Sequence, residues 1–258
     1  MPTTTLYPGQ AFPSALVELL RSAEQVLLFT GAGMSAESGV PTFRDAQRGL
    51  WAQFDPMRLA SPEGFANDPG LIWRWYQWRR ELISQVSPNR AHHALARWQN
   101  QRPAMLVTQN VDGLHQRAGS DPVIALHGDI SRTICSQTRQ EIPDEWLERH
   151  ASSEPPPSPY HPEGLARPDV VWFGESLDAQ ALARAFDYAE SADLIVVIGT
   201  AGLVQPAASI PVQAVRHGAR MIEINPEPSE LTTLATWRLA GRATDCVPKI
   251  VDSALVRK

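Results

Sequence analysis

The stretch VLLFTGAGMSAESGVPTFRD, residues 26–45, decides the fold of this chain. Its opening apolar run predicts a buried parallel strand. Gly31, Gly33 and Ala36 then follow at the spacing of a dinucleotide-binding turn that opens a helix. In such a turn the first glycine permits the tight bend and the second lets backbone N–H groups approach a pyrophosphate. The alanine lets the helix pack closely on the strand, so the stretch predicts a nucleotide-binding α/β fold.

The loop after this turn argues against a dehydrogenase. A dehydrogenase of this fold carries an acidic residue at the end of a second strand about 20 positions further on. Here that region reads GLWAQFDPMRLASPEGF, which has no strand pattern. The turn is followed instead by Pro41, Phe43 and Arg44, in a loop that could close over a cofactor.

Composition limits the classes of protein that the chain can represent. Its 258 residues are enough for one substantial core, and a net charge of −5 gives no field that would attract nucleic acid or an anionic membrane. The N-terminus lacks the features of a signal peptide, and the most apolar stretch, 194–198, is too short to span a bilayer. We therefore expect a cytoplasmic monomer that binds neither nucleic acid nor membrane.

Two helical regions flank the glycine-rich turn. Residues 12–24 predict a packing helix with Ser14 as its N-cap. Residues 46–91 carry four tryptophans and four prolines, and the segment LIWRWYQWRRELI predicts an amphipathic helix within an inserted helical subdomain. On that helix Tyr76 and Arg79 share one face. A phenol beside a guanidinium can receive a carboxylate, although the residues alone favour a surface arginine beside a half-buried tyrosine.

Polar residues follow two further predicted strands. The strand 105–108 runs into Gln109, Asn110 and Asp112, whose amides and carboxylate can hold a ribose hydroxyl and a carboxamide. An Asx turn that simply ends the strand is the alternative. The strand 123–126 leads into His127 and Gly128.

His127 is the candidate general base, because imidazole accepts a proton near neutral pH and the following glycine leaves room for a substrate. His115 is the competing histidine, but it lies further beyond its strand.

The remaining elements contribute a second glycine-bearing turn. A strand-like segment at 167–175 and a helix at 178–190 precede the strand 194–198, which ends in GTAGLV. The last predicted strand, 220–224, is followed by an amide and a carboxylate that suit a ribose. We expect a short terminal helix after residue 244.

These motifs, in this order from about residue 26 to 248, resemble the sirtuins, the NAD-dependent protein deacylases. The resemblance rests on GAGMSAESGVPTFRD, TQNVDGLH, the His-Gly pair and RPDVVWFGE. It implies a doubly wound parallel Rossmann-like sheet with a helical insertion and a small, degenerate zinc-module insertion. The implied units are a discontinuous NAD-binding domain at 12–45, 92–130 and 168–258, a helical subdomain at 46–91 and a small subdomain at 131–167.

The resemblance also implies a reaction, in which NAD and an acyl-lysine protein or peptide give nicotinamide, O-acyl-ADP-ribose and free lysine. It makes His127 the general base and Asn110 a catalytic residue, with Phe43 shielding the reactive ribose carbon and His115 structural. The implied NAD-binding residues are Gly31, Ala32, Gly33, Ala36, Glu37, Phe43, Arg44, Gln109, Asn110, Asp112, Gly199, Thr200, Ala201, Asn225, Glu227 and Ala243. Many sirtuins have serine where Ala201 stands, so one hydroxyl contact to the cofactor is missing here.

The substrate side follows from two further motifs. WYQWRRE resembles the Tyr-x-x-Arg element of class III sirtuins, which implies that Tyr76 and Arg79 bind the distal carboxylate of succinyl- or malonyl-lysine. The segment 167–175 would pair with an extended substrate peptide, although an ordinary buried strand explains its apolar residues equally well. The implied substrate-binding residues are Tyr76, Arg79, Val171, Phe173, Gly174 and Val204.

The chain departs from the family at 131–167. Most sirtuins hold a zinc ion there with two Cys-x-x-Cys pairs. Here Cys135 remains, Thr138 occupies its partner's position, and a proline-rich run replaces the second pair. One cysteine and one histidine do not close a structural zinc site, so we expect no metal. The prolines either stiffen this segment or leave a flexible loop. A disulfide from Cys135 to the distant Cys246 is the less favoured use of the two cysteines.

Other functions use some of the same residues. An NAD hydrolase or ADP-ribosyltransferase needs the cofactor pocket but no channel for acyl-lysine. A module that only binds NAD or ADP-ribose needs the glycine turns but not His127, Asn110 and Asp112 together. An oxidoreductase is the least favoured, because the ribose-binding acid is missing.

Overall fold

The computed structural model describes residues 3–40 and 59–255. Within them the strands are β1 (Thr4–Leu6), β2 (Val26–Thr30), β3 (Ala104–Thr108), β4 (Val123–Ala125), β5 (Gly128–Cys135), β6 (Ala166–Val170), β7 (Leu194–Ile198), β8 (Arg220–Ile224) and β9 (Trp237–Leu239). The helices are α1 (Ser14–Ser22), α2 (Pro62–Asn67), α3 (Pro69–Ser84), α4 (Arg90–Gln101), α5 (Leu114–Arg117), α6 (Asp144–Arg149), α7 (Ala179–Ser191), α8 (Ser209–Arg216) and α9 (Ala243–Leu255). No helix among the described residues is both long and apolar enough to cross a membrane.

Seven of the strands form one parallel sheet in the order β1-β9-β8-β7-β2-β3-β4. The central strand β2 is buried along its whole length, which explains its unbroken apolar run. Its last residue, Thr30, is in register with Thr108 of β3 and Ile198 of β7. The loops that follow these three strands therefore leave the sheet at one common edge.

Each face of the sheet is covered by helices. Leu28 and Val196 lie in a core with residues of α1, α4 and α9, whereas Leu27 and Ile195 lie in a second core with residues of α7 and α8. Successive residues of a strand face opposite sides, so the two cores are separated by the sheet itself. This arrangement confirms the predicted doubly wound fold.

The strands β5 and β6 pair antiparallel, outside the main sheet. Ile130 of β5 and Val170 of β6 share a third core with residues of α2 and α3. The predicted division into one discontinuous domain and two insertions stays a prediction. Two of its boundaries, 130/131 and 167/168, fall inside these paired strands.

The prediction of a helix after the glycine-rich turn is wrong for residues 31–40. Two short 3₁₀ turns, Ala32–Met34 and Ala36–Ser38, stand in its place, and Ala36 is exposed rather than packed on the strand. The second turn ends at Gly39, whose φ of 92° is left-handed, and a proline two residues later disfavours a continuing helix.

Several element boundaries also differ from the prediction. Ser14 is the first residue of α1 and not its cap; Pro13 holds the cap position without a side-chain bond. The segment 167–175 was predicted to be strand-like throughout, but the strand ends at Val170. The strand at 220–224 is not the last, because β9 follows it, and the terminal helix α9 begins at Ala243 and is 13 residues long.

Candidate active site

Two glycine turns meet where β2 and β7 end. The N–H of Gly31 donates to the carbonyl of Ile198 at 2.9 Å, and the N–H of Gly33 donates to the carbonyl of Gly199 at 2.8 Å. A Cβ on Gly33 would lie 2.7 Å from the Cα of Gly199, so no larger residue fits there. Gly199 itself has a φ of +62°. The two turns therefore hold each other at the carboxyl ends of β2 and β7, where open α/β sheets bind the phosphates of a dinucleotide.

Glu37 faces the first turn of α9. Its carboxylate accepts hydrogen bonds from the backbone N–H and the hydroxyl of Thr244, and it forms an ion pair with Arg242 at 3.3 Å. Burial alone would raise the pKa of Glu37, but these donors hold it below the usual value. Ala32, on the preceding 3₁₀ turn, is exposed, and Ala243 is buried at the start of α9.

His127 is fixed on both sides by the backbone. Its Nδ1 lies 2.8 Å from the carbonyl oxygen of Gln109, and its own carbonyl accepts from the N–H of Val171. A carbonyl can only accept, so Nδ1 carries the proton and Nε2 keeps its lone pair. Burial lowers the pKa of His127, and the bond to Gln109 opposes this only in part. A Cβ on Gly128 would lie 2.1 Å from the carbonyl oxygen of Asp169, so this position accepts only glycine.

A row of hydrogen bonds extends from Gln109 toward β8. Its side-chain amide donates to the hydroxyl of Thr200 at 2.9 Å, and Asn225 donates to the Thr200 carbonyl at 2.9 Å. Ala201 follows Thr200 and Glu227 lies two residues beyond Asn225, and both are exposed. The residues predicted from three separate strand ends therefore lie along one edge.

Asn110, Asp112 and Ser35 form a second polar group. The Asn110 amide donates to the carbonyl of Gly31 and to the hydroxyl of Ser35, both at 3.1 Å, which leaves its Oδ1 as an acceptor. Asp112 is 8% exposed. Burial raises its pKa, while bonds from the Leu114 N–H and from Ser35 and the charge of Arg79 oppose the rise.

His115 is buried next to this polar group, and its side chain is not exposed to solvent. Its Nε2 is 2.9 Å from the hydroxyl of Thr30, and its ring is 4.8 Å from that of His92. Burial lowers the pKa of both histidines. A neutral, enclosed imidazole of this kind supports the floor of the site and cannot reach a ligand.

Tyr76 and Arg79 lie together on α3, as their spacing predicts. The Arg79 guanidinium is 5.0 Å from the ring of Trp75 and 5.6 Å from the ring of Tyr76. Tyr76 is 1% exposed, more buried than the half-buried tyrosine of the alternative interpretation. Burial lowers the pKa of Arg79, and the phenol of Tyr76 and the charge of Asp112 oppose the change. The charge of Arg79 on α3 is therefore felt by Asp112 of the second polar group.

The predicted peptide-binding residues lie on two loops. Val171 is half-buried, Phe173 is 39% exposed, and Gly174 follows with a φ of +88°. The N–H groups of Val171 and Phe173 already donate to the carbonyls of His127 and Ala60. Val204 is 43% exposed, on the loop after β7. Phe43 and Arg44 lie outside the described residues.

The residues at the expected zinc position do not fit a zinc ion. Burial alone would raise the pKa of the Cys135 thiol, but hydrogen bonds from Ser158 and Thr138 hold it below the usual value. A Cβ on Gly164 would lie 2.8 Å from the sulfur of Cys135 and 3.1 Å from the Cβ of His161. One thiol among hydroxyl groups is a poor donor set for zinc. In residues 3–40 and 59–255, no three His, Cys, Asp or Glu side chains gather as a metal site requires.

Comparison with known proteins agrees with this geometry. The model of the Sir2 family matches residues 31–206. The chain belongs to the Sir2 family. NAD-dependent protein deacylase 1 of Pseudomonas aeruginosa is 46% identical to this Sir2 chain, over 93% of this chain and 98% of that protein. NAD-dependent protein deacylase 2 of Pyrobaculum aerophilum is 47% identical, over 92% and 94%.

Solved Sir2 structures have the same fold. A Sir2 homolog–NAD complex is 40% identical, with a TM-score of 0.86 over 96% of this chain and 95% of that chain. A Sir2–p53 peptide–NAD⁺ complex is 28% identical, with a TM-score of 0.82 over 94% and 98%.

Three residues of this Sir2 site were missed by the sequence analysis. Ser35 hydrogen-bonds both Asn110 and Asp112. The hydroxyl of Thr244 donates to Glu37. The indole N–H of Trp172 donates to the hydroxyl of Tyr76. Ser35 had a local signal, since it is a small polar residue inside the glycine-rich turn. Trp172 lies in the motif RPDVVWFGE, but neither Trp172 nor Thr244 gave a local sign of its hydrogen bond, because their partners are far away in the sequence.

Proposed function

We propose that this Sir2 protein removes acidic acyl groups, succinyl and malonyl, from lysine side chains, with acetyl as a poorer substrate. The chain is an NAD-dependent protein deacylase, as its relatives and the NAD-bound structural neighbours indicate. The acidic-acyl preference is the further step. The observation that carries it is the Arg79 guanidinium on the ring of the enclosed Tyr76, next to the charge of Asp112.

The described residues fit NAD. The two glycine turns would face its phosphates, and the row from Gln109 through Thr200 to Asn225 offers bonding groups for ribose hydroxyls. Asn110 Oδ1 and the Asp112 carboxylate would bind the nicotinamide end. When bound, NAD supplies the electrophilic ribose carbon that takes the acyl oxygen.

His127 is placed to act as general base. The bond from its Nδ1 to the carbonyl of Gln109 orients the ring, so that Nε2 can take a proton from a ribose hydroxyl. Its lowered pKa keeps the imidazole neutral, and so able to accept that proton, at neutral pH.

The acyl group would end at Arg79 and Tyr76. A guanidinium and a phenolic O–H are both donors, and a carboxylate accepts only, so the pair matches the distal end of a succinyl or malonyl group. An acetyl group has no distal polar atom to reach these donors, so it accepts a hydrogen bond from neither of them.

Mass spectrometry of matched peptides tests the proposal. Acetyl-lysine and succinyl-lysine peptides of one sequence are incubated with the purified protein, with and without NAD. We expect NAD-dependent loss of both groups and faster loss of succinyl. Loss of acetyl alone would contradict the acidic-acyl preference. NAD cleavage that does not need an acyl peptide would favour an NAD hydrolase instead.

We also propose that the segment 131–167 folds without zinc. The hydroxyl groups of Thr138 and Ser158 hydrogen-bond Cys135 where thiolates would otherwise bind a metal. We expect purified protein to contain far less than one zinc ion per chain by elemental analysis, and a chelator to leave its activity unchanged. Stoichiometric zinc that is lost together with activity would refute this.

A further inference from the structure

The indole of Trp172 reaches the hydroxyl of Tyr76 on α3. Trp172 lies on the loop after β6, far from α3 in the sequence, and its Nε1–H donates to the Tyr76 oxygen at 2.9 Å. Both side chains are buried, with 2% and 1% of their surfaces exposed. This bond joins the loop predicted to bind the peptide to the helix that carries the carboxylate receptor.

The position of Trp172 is fixed by an ion pair. The Arg167 guanidinium stacks over the indole, with its central carbon 3.4 Å from the ring centroid. Glu175 binds the same guanidinium with both oxygens, at 2.6 and 3.0 Å, and also accepts from the Trp172 backbone N–H at 2.8 Å. Phe65 packs against the indole at 5.2 Å. The direction of the indole N–H is therefore set before any substrate arrives.

This bond determines what the Tyr76 hydroxyl can do. A phenol has one proton to donate and two lone pairs that accept. The indole N–H of Trp172 can only donate, and so can the Arg79 guanidinium, whose central carbon lies 5.6 Å from the centre of the Tyr76 ring. Neither of these partners can take the phenol's proton. Burial raises the pKa of Tyr76, so the proton stays in place.

We propose that Trp172 is a positioning residue for acyl specificity, which makes the Tyr76 hydroxyl an obligatory donor and directs it at the substrate carboxylate. Trp172 does not touch the acyl group; it acts through Tyr76. The inference rests on the proposed preference for acidic acyl groups. It adds that the receptor has three parts, of which the third lies on the peptide-binding loop.

The variant Trp172→Phe removes the N–H donor and keeps an aromatic ring against Arg167 and Phe65. For a succinyl-lysine peptide we expect kcat/KM to fall about 3- to 10-fold, the worth of one hydrogen bond, through KM rather than kcat. For the matched acetyl-lysine peptide we expect a change within about two-fold, because acetyl makes no bond to the phenol. Benzothienylalanine at position 172 keeps the indole shape and lacks only the N–H, so it gives the same test if the phenylalanine variant folds poorly.

A double-mutant cycle separates positioning from general support of the fold. If Trp172 acts through the Tyr76 hydroxyl, Trp172→Phe has no further effect on acyl selectivity in a Tyr76→Phe background. Trp98→Phe is the matched control, since Trp98 is a fully buried tryptophan of α4, and its Nε1 has no partner among the described residues. We expect it to leave the succinyl-to-acetyl ratio unchanged.

The results distinguish failure of the role of Trp172 from failure of the proposed acyl preference. Equal losses for both acyl groups, or a selectivity effect that persists in the Tyr76→Phe background, would overturn the role of Trp172 and leave the proposed preference standing. A wild-type protein without succinyl preference would overturn both. A selective rise in KM for the succinyl peptide that disappears in the Tyr76→Phe background would establish the inference.

Discussion

Replacement of His127 by alanine is expected to lower kcat about 10²- to 10⁴-fold, the usual contribution of a positioned general base. The imidazole Nε2 is the group left free to take a proton, because Nδ1 is bound to the carbonyl of Gln109. Steady-state kinetics with an acylated peptide measure the loss, and calorimetry measures NAD binding, which we expect to change little.

A histidine outside the glycine turns and strand ends of the site provides the control for this variant. His150→Ala removes the half-buried imidazole that follows α6 and stacks on Trp146, and we expect near-normal turnover. Near-normal turnover of the His127→Ala variant would remove this residue from the reaction.

In the wild-type protein, activity should fall only below pH 6.5, because burial lowers the pKa of His127 and the base works in its neutral form.

Replacement of Arg79 by methionine is expected to slow desuccinylation by roughly 100- to 3,000-fold in kcat/KM. A carboxylate that loses its buried cationic partner costs about 3–5 kcal/mol, and each 1.4 kcal/mol is about ten-fold. Deacetylation should change little, because the acetyl group carries no charge. Competition between the two peptides in one reaction, followed by mass spectrometry, measures the change in selectivity directly.

The neighbouring arginine allows a matched control. The Arg80 side chain binds β5 instead. It donates to the carbonyls of Ile130 and Arg132 and to the hydroxyl of Thr133. We therefore expect Arg80→Met to lower the stability of the fold and to leave the succinyl-to-acetyl ratio unchanged. Equal slowing of both reactions by Arg79→Met would mean that Arg79 supports the helix and does not bind a carboxylate.

The strands that could be predicted from the sequence are those with their own apolar signal. The bounds of β7 and β8 were predicted to the residue, since LIVVI and RMIEI are short, β-branched and almost fully buried. β1 and β9 were missed. Each has three residues, and their extended form depends on pairing with each other and with β8, which no local pattern reveals.

The site could be predicted where side chains directly follow parallel strands. Gln109, Asn110 and His127 come together because β3 and β4 end at the same edge of the sheet. The helix predicted at the glycine turn failed because Ser35 is held by Asn110 and Gly39 turns the chain away. These are tertiary contacts, and glycine spacing alone carries no information about them.

The order of the strands has a consequence for how the protein is synthesised and folds. The central strand β2 pairs with β3 and with β7, and Val26 is opposite Leu194. At the sheet's edge Thr4 is opposite Trp237, so β1 cannot pair with β9 until the more than 200 residues between them have been synthesised. Pairings between such distant segments are slow to form, because a long loop must close before any contact is gained. The cofactor pocket, whose two glycine turns belong to β2 and β7, therefore assembles only after most of the chain has been made.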